Sequence, residues 1–555
     1  MVDTTPITGS LFKTLQSRYP NTVAAFSSMP QGETALNAVM ELERKWIALN
    51  SGEEIPRPFI RASSGADLPP TAPANRFDVV IAGGGLGLVA GASLARRGLR
   101  VMVFDRDRVG AAHREWNISE RELASLVDWG IFSREELAST IATRYKSGVI
   151  SFDSTGTGMP SCPLITDGVL DVALDAQSVL DLARGRFLEA GGTILEYRSF
   201  VHLHTAESGP VASVFELDGP DGREYYRARL AVDTMGSVSP IAMGLNDGLP
   251  FDGVCPTAGT VMEGLDADRQ TGDVLVSVAP MQGERQYIWE GFPGRGNETT
   301  VYLFYYDRTG KDESSKQSLL ALFEDYFTLL PTYRTVQSGA RHLKPVFGYI
   351  PARHGRTGRT AARGLICLGD SAAGQSPLTF CGFGSFVRHI GRVAALLSYA
   401  LEHGLLEEQH LQLISPHQAN LRVAWVFSRF MQPWPGGDPA SVNRMMNIFT
   451  RTLTAIGPKT TVRFLQDRYS FTEYIRIMLT TAKYFPEVFA LTMRVIGLKG
   501  IQQWAGDITA FGSNEAMRAA YKLIGKRNWR RMENMVSPHL ALHLKALRTT
   551  WHATR

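Results

Sequence analysis

Between residues 77 and 107 the apolar positions change period twice. Val79, Val80, Ile81 and Ala82 form an unbroken run, the pattern of a strand buried on both faces. Ala90, Leu94 and Ala95 then recur at helical spacing, Gly98 is placed to cap the helix, and the run from Val101 to Phe104 makes a second strand ending at Asp105. Gly83, Gly84, Gly85 and Gly87 fill the turn between the first strand and the helix. This order predicts a dinucleotide-binding unit. The glycines let the backbone approach a pyrophosphate, the helix N-terminus offers free N–H groups, and an acid 22 residues beyond Gly83 accepts hydrogen bonds from a ribose. Leu88 stands where the fingerprint has its third glycine, which predicts a slightly displaced helix, with Gly91 taking part of the packing role.

The same patterning divides the rest of the chain. Residues 1–50 read as helical, with Leu36, Val39, Met40, Leu42 and Trp46 on one face, and 51–75 as a linker rich in Pro, Ser and Gly. Residues 169–198 read as strand, amphipathic helix, Gly-Gly turn and strand, and 211–217 with 224–233 as a hairpin ending at Asp233. Further strands follow over 274–306, where VYLFYY suits a sheet that shelters an apolar ligand, and 401–555 is mostly helical without an internal repeat. The expected organisation is a helical extension and linker (1–75), a cofactor domain in three parts (76–150, 176–245 and 351–400), an interleaved β-rich substrate domain (151–175 and 246–350) and a helical C-terminal region (401–555).

Composition narrows the chemistry. A chain of 555 residues suits two or three domains, and 44% hydrophobic against 20% charged residues describes a folded protein. The net charge of +4 implies no general polyanion partner. Cys162, Cys255, Cys367 and Cys381 show no metal-ligand spacing and read as free thiols in a reducing compartment. The N-terminal residues have no basic start followed by an apolar core, so no secretory signal is expected. No run of about 18 uncharged apolar residues occurs, so no spanning helix is expected. Residues 515–555 nevertheless hold nine Lys or Arg against Glu515 and Glu533, with Trp529 and Met532 among them, after the amphipathic segment 477–498. Two readings stand: a membrane-surface anchor, or a helical domain packed on the core with a solvated basic face. Nucleic-acid binding is not expected, because no nucleic-acid-binding motif accompanies the charge.

Two further blocks point to a flavin. Residues 365–368 make a buried strand closed by Gly369-Asp370, a pair that in two-domain flavoproteins meets the ribityl and phosphate region of FAD. The following loop, with Pro377, Gly382 and Gly384, would pass the flavin ring, and a helix starting near Ser385 would aim its N-terminus at the pyrimidine side. LAVDTMGSVSP (230–240), with Asp233, Gly236 and Ser239, resembles the central strand-loop of the same class, against a surface turn as the alternative.

These blocks together resemble the CruA/CruP-type lycopene cyclases, relatives of plant lycopene cyclases and geranylgeranyl reductases. The resemblance runs through REWNIS (114–119), VDTMGSVSPI (232–241), YIWEGFP (287–293), GDSAAGQSPLTFCGFGSFVRHIGR (369–392) and FLQDRYSF (464–471), and spans nearly the whole chain. It implies an α/β fold with a FAD-binding Rossmann-like domain of glutathione-reductase type. It also implies FAD reduced by NAD(P)H or another donor, a carotenoid substrate such as lycopene, and a peripheral place on the cytoplasmic side of a thylakoid or plasma membrane. The implied reaction has no net redox change: a proton adds to a terminal double bond, the carbocation closes a six-membered ring, and a proton leaves. Anionic reduced flavin would stabilise the cation.

Such a site needs an acid. Glu290 is the first candidate, because Trp289 and Phe292 flank it and an aromatic setting raises a carboxyl pKa; Tyr287, Trp289 and Phe292 would shape the substrate pocket. Plant-type cyclases carry a paired second acid here, where this chain has Gly291, and a solvent-facing Glu290 is the plain alternative. Glu115 is the competing acid, and Arg114 beside it would contact the FAD phosphate or ribose. Ser119 with Glu122 three residues on reads as a capping box. His113, His354 and His389 read as structural. The segment YxWxxFP also resembles the substrate strand of geranylgeranyl reductases, which keeps a flavin-dependent isoprenoid or quinone reductase or monooxygenase in play beside a non-cyclising carotenoid- or flavin-binding paralogue. Ring type, number of ends cyclised and oligomeric state are left open.

Overall fold

The computed structural model describes residues 10–112, 116–314, 316–352, 354–355, 358–374, 378, 382–414 and 419–554. Two large sheets organise it. The first is built on parallel strands in the order Leu365–Cys367, Gly222–Asp233, Arg76–Ala82, Val101–Phe104 and Thr193–Leu195. Its unbroken apolar runs follow from burial on both faces. Val79, Ile81, Val101 and Val103 pack on the helices Leu86–Ala95, Ala176–Glu189 and Gly382–Glu402. Val80, Ala82, Met102 and Phe104 pack on Leu203, Phe215 and Leu217 of an antiparallel extension.

That extension pairs Ser199–Ser208 with Ser213–Gly219 and then with the first half of Gly222–Asp233. Phe59–Ser64, inside the segment read as a linker, joins its edge as a parallel strand. Its side chains are exposed or half-buried, so an edge strand formed there without an apolar signal in the sequence.

The second sheet runs Val336–Ala352, Gly253–Leu265, Thr299–Phe304, Ile288–Pro293, Thr271–Val276, Ser147–Ser151 and Leu164–Asp167. One face presents Ile288, Phe292, Phe304 and Tyr306 to the C-terminal helices Ala419–Arg429, Ser441–Ile456, Phe471–Tyr484 and Val488–Ile524. The other presents Trp289, Val301 and Leu303 to Leu319–Tyr333 and to the N-terminal helices Pro20–Ser28 and Gly32–Asn50. Trp46 locks that layer, stacking 4.4 Å from Tyr349 and donating from Nε1 to Gln317 Oε1 at 2.9 Å.

A small sheet of Trp116–Ile118, Val172–Leu174 and Ile141–Arg144 lies beside the helix Gly382–Glu402, with Trp116 stacked on Phe383 at 4.4 Å. The capping box expected at Ser119 does not form. The Ser119 hydroxyl accepts from the Leu170 N–H at 3.1 Å, and Glu122 turns inward to pair with Arg388, so tertiary partners displace the local cap. Capping boxes close instead at Ser133 with Glu136 and at Ser470 with Glu473.

At the end of the chain Pro538–Ala553 packs on Gly382–Glu402, while Tyr521, Trp529 and Trp551 form a small core of their own. Among the described residues no helix is long and apolar enough to cross a membrane. Cys255 and Cys367 are buried free thiols and Cys162 is half-buried; Cys381 lies outside the described residues.

Candidate functional site

The parallel strands are held flush at their C-terminal ends. Thr234 N–H donates to Ala82 O at 2.8 Å, Leu368 N–H to Asp233 O at 2.8 Å, and the Ser371 hydroxyl to the same Asp233 O at 2.8 Å. The Asp233 carboxyl is buried, and burial pushes its pKa up to about 6. It accepts from Ser239 Oγ at 2.6 Å and Met235 N–H at 3.0 Å, which folds the loop after the strand back over its end. Ser239 in turn caps the helix Pro240–Asn246. This crevice at the strand ends is where open α/β sheets bind their ligands.

A cavity of about 670 Å³ opens there, with walls from both sheets. On the first-sheet side the glycine turn comes first. Gly83 adopts φ +104°, and a Cβ on Gly84 would lie 2.9 Å from Val109 Cα, so neither tolerates a side chain, while Gly85 borders open space. Asp105 lines the cavity and braces the turn, its Oδ2 accepting from Gly84 N–H at 2.6 Å and its Oδ1 from Asp107 N–H at 3.0 Å. Gly369 and Asp370 follow, then Gly382, Phe383, Ser385 and Phe386 in the first described turn of the helix Gly382–Glu402. Its first-turn N–H groups have no intrahelical partners and suit an electron-rich group.

These residues fit a dinucleotide: a backbone turn closed to side chains, a carboxylate beside it, and two helix N-termini on one cavity. Gly84→Ala is expected to weaken dinucleotide binding at the turn, because its methyl group must displace backbone at Val109. Flavin absorbance of the purified variant checks this, and full flavin content would move the binding site off the turn.

Not every expected residue reaches the cavity. Gly87 packs instead, since a Cβ there would meet Thr234 Oγ1 at 2.4 Å; with Gly91, whose Cβ would sit 3.0 Å from Val103, it brings the helix onto the sheet despite the buried Leu88. Gly384 lies over the Glu122 carboxylate, 2.8 Å from where its Cβ would be. Arg114, Glu115, Pro377 and His113 lie outside the described residues.

The second sheet contributes by alternation. Along Ile288–Pro293, Glu290 and Phe292 face the cavity, whereas Trp289 faces the opposite way and stacks on Tyr333 at 4.7 Å. Tyr287 shares the Trp289 side, its hydroxyl donating to Asp325 Oδ2 at 2.5 Å. The substrate roles expected of Tyr287 and Trp289 are therefore corrected: both brace the back of the sheet. Their places on the cavity are taken by Tyr302, Phe304 and Ile350. Tyr302 is the cross-strand partner of Glu290, and Ile288 pairs with Phe304.

Among the described residues no donor hydrogen-bonds the Glu290 carboxyl, and burial pushes its pKa up to about 8. It holds a proton at neutral pH and can deliver it into the cavity. His389, read from sequence as structural, lines the cavity and accepts on Nδ1 from Arg392 Nε at 2.8 Å. His354 does not line it, and burial holds its imidazole well below the usual histidine range. Lys45, Trp116, Asn117 and Arg198 also line the cavity without having been singled out. Trp116 and Asn117 sat in a motif already noted, but nothing local marks Lys45 or Arg198.

No protein-family model matches the chain, and no curated protein matches it. Solved structures share its architecture. A geranylgeranyl bacteriochlorophyll reductase-like protein from Thermoplasma acidophilum superposes with a TM-score of 0.55 at 16% identity, over 76% of this chain and 100% of that one. The halogenase PltM matches at 0.52 and 13% identity over 86% and 99%, and p-nitrophenol 4-monooxygenase PnpA from Pseudomonas putida DLL-E4 at 0.50 and 16% over 73% and 98%. The chain therefore shares the Rossmann-like α/β fold of these structures, followed by a helical region.

Proposed function

We propose that this protein is a FAD-dependent carotene cyclase that closes a ring on the ψ-end of lycopene or a related linear carotene. One observation carries the reading: Glu290, whose carboxyl accepts no hydrogen bond among the described residues and whose pKa burial raises, faces the same cavity as the dinucleotide turn, among Phe292, Tyr302, Phe304 and Ile350. The wall around Glu290, made by Phe292, Tyr302, Phe304 and Ile350, suits protonation of an alkene, while the charged residues Asp105 and Asp370 of the same cavity come from the first sheet.

In this reading Glu290 gives its proton to the terminal double bond, the cation is attacked internally, and loss of a ring proton restores neutrality. The Glu290 carboxylate left behind is placed to take a proton back, so the chain ends each cycle as it began. The ring faces of Phe292, Tyr302 and Phe304 stabilise positive charge, and the dry walls strengthen that attraction. Gly83, Gly85, Asp105, Asp370 and the start of the helix at Gly382 would hold FAD. Bound and reduced by NAD(P)H or another donor, FAD would supply negative charge that stabilises the cation. Because the substrate is a membrane-dissolved hydrocarbon, we place the protein peripherally on a membrane face.

The test is expression in a lycopene-accumulating bacterium, with pigments resolved by chromatography and mass spectrometry. A cyclic product of unchanged mass supports the reading. A product two or more hydrogens heavier replaces it with a reductase, and FAD-loaded protein with untouched lycopene replaces it with a non-cyclising role.

The raised pKa also sets a stability test. Between the ordinary value of 4.5 and about 8 the folded chain keeps a proton on Glu290 that the unfolded chain releases. Stability from this group is therefore lost as pH rises through that window, on the order of 3 kcal/mol by neutral pH. Glu290→Gln removes the effect, so its thermal midpoint is expected to exceed the parent's at about pH 8 and to converge with it at about pH 4. A difference independent of pH would put the carboxyl in water-like surroundings.

A further inference from the structure

The C-terminal helices carry a surface that the cavity does not explain. Gly497, at φ 68° and ψ 177°, breaks Val488–Ile524 into a short arm and a long straight segment from 498. Along that segment Phe511, Arg518 and Tyr521 face inward, while Leu498, Ala505, Thr509, Ala516 and Leu523 are exposed. Leu498 and Leu523 are 25 residues apart, about seven turns, so they lie on one stripe roughly 38 Å long.

Both ends of the stripe are apolar and fully presented. Leu523 is 89% exposed and Met535 on the next helix 85%. At the other end Leu498 is 71%, Leu479 64% and Phe489 59% exposed, around the bend at Pro486.

The exposed charge along 499–531 has one sign, and the bend carries exposed Glu487 together with exposed Lys483 and Arg494. Lys499, Lys522, Lys526, Arg527, Arg530 and Arg531 are all exposed. The acids of the same stretch are occupied: Asp507 accepts from Trp425 Nε1 at 3.2 Å, Glu515 pairs with Arg518 at 3.1 Å, and Glu533 is buried against Arg548 at 2.6 Å. Two such surfaces would repel one another across a symmetric dimer. Along 498–535 the aromatic residues that could stack on bases are turned inward: Phe511, Tyr521 and Trp529 are buried, and Trp504 donates to the Tyr474 hydroxyl at 2.8 Å.

We propose that the face of 498–535, with the bend at 479–498, lies flat on an anionic lipid bilayer, Leu498, Leu523 and Met535 entering the headgroup boundary while the lysines and arginines meet lipid phosphates. On their inner side Val488, Val495 and Phe511 share a hydrophobic core with Phe292 and Phe304 of the cavity wall. The docked helix thus belongs to the apolar layer that backs the reaction cavity. The proposal rests on the cyclase reading only for its purpose; the surface is tested without substrate.

FAD-loaded full-length protein is sedimented with vesicles of phosphatidylcholine alone or with added phosphatidylglycerol. Binding to the anionic vesicles only, weakened by salt, is expected. Leu523→Glu with Met535→Glu, and separately Arg527→Glu with Arg530→Glu and Arg531→Glu, are each expected to weaken it at least tenfold with flavin content unchanged. Equal binding to neutral vesicles, indifference to either variant, or a dimer abolished by the same variants overturns the proposal. Ring closure is measured separately on detergent-dispersed lycopene. Protein that binds vesicles without converting lycopene supports this surface and removes the cyclase reading, and protein that converts lycopene but ignores vesicles overturns the surface.

Discussion

Glu290→Gln is expected to lower ring closure by about 10²–10⁴-fold, the usual worth of a positioned general acid, while the purified protein keeps its FAD. Glutamine fills the same space but has no proton to give. The residues that would hold the cofactor (Gly83, Gly85, Asp105, Asp370) come from the other sheet and are untouched. The parent's rate should fall as pH rises through about 8, where Glu290 loses its proton. Glu290→Asp, one methylene shorter, should fall between the two. Product yield from a lycopene-accumulating host and flavin absorbance of the same preparations check all of this. Undiminished product from the glutamine variant would move the acid elsewhere, with Glu115 the next residue to change.

The second large effect lies beneath the helix that borders the cavity. Glu122 and Arg388 are 1% and 4% exposed and meet at 2.9 Å. Glu122 is also the acid amid several arginines: Arg468 is held down to about 10 by burial and by Arg121, Arg388 and Arg463, and Glu122 opposes that. Removing one partner of a buried pair typically costs about 3–5 kcal/mol, because the other charge stays buried and unpaired. Glu122→Leu is therefore expected to lower the unfolding midpoint strongly. It should also release flavin, since Gly384 rests on this carboxylate at the first turn of Gly382–Glu402. Glu122→Leu with Arg388→Met should recover part of the loss. Denaturant unfolding and flavin fluorescence decide it, and a double variant no better than the worse single one would show the two charges to be uncoupled.

What the sequence made legible was whatever local spacing encodes. The strand, glycine turn, helix and acid of 77–107 are contiguous, and each residue's job follows from its neighbours. Glu290 and Trp289 illustrate the limit. Period-two alternation says that they face opposite ways, but which side is the cavity depends on a helical layer contributed more than a hundred residues later. Glu122 was misread because Ser119 and Glu122 satisfy a local capping rule, while Arg388 outcompetes it from afar. Tyr302 could be singled out only through its register with Glu290, and Lys45 only once the N-terminal helix is docked. Phe59–Ser64 escaped notice because an edge strand needs partners more than it needs apolar residues.

The order of strands in the first sheet also bears on how the chain is made. Its neighbours in space come from residues 59–64, 76–104, 193–233 and 365–367, and the second sheet is threaded through the intervals. During synthesis the strand Arg76–Ala82 emerges early, yet its neighbour Gly222–Asp233 follows only after more than a hundred further residues. Until then its apolar edge is unpaired, and loop closure must come before the contacts that reward it. The nascent chain therefore has an extended interval in which this edge is open to misassociation. Fragments ending before residue 365 should collect as aggregates and not as a smaller flavoprotein.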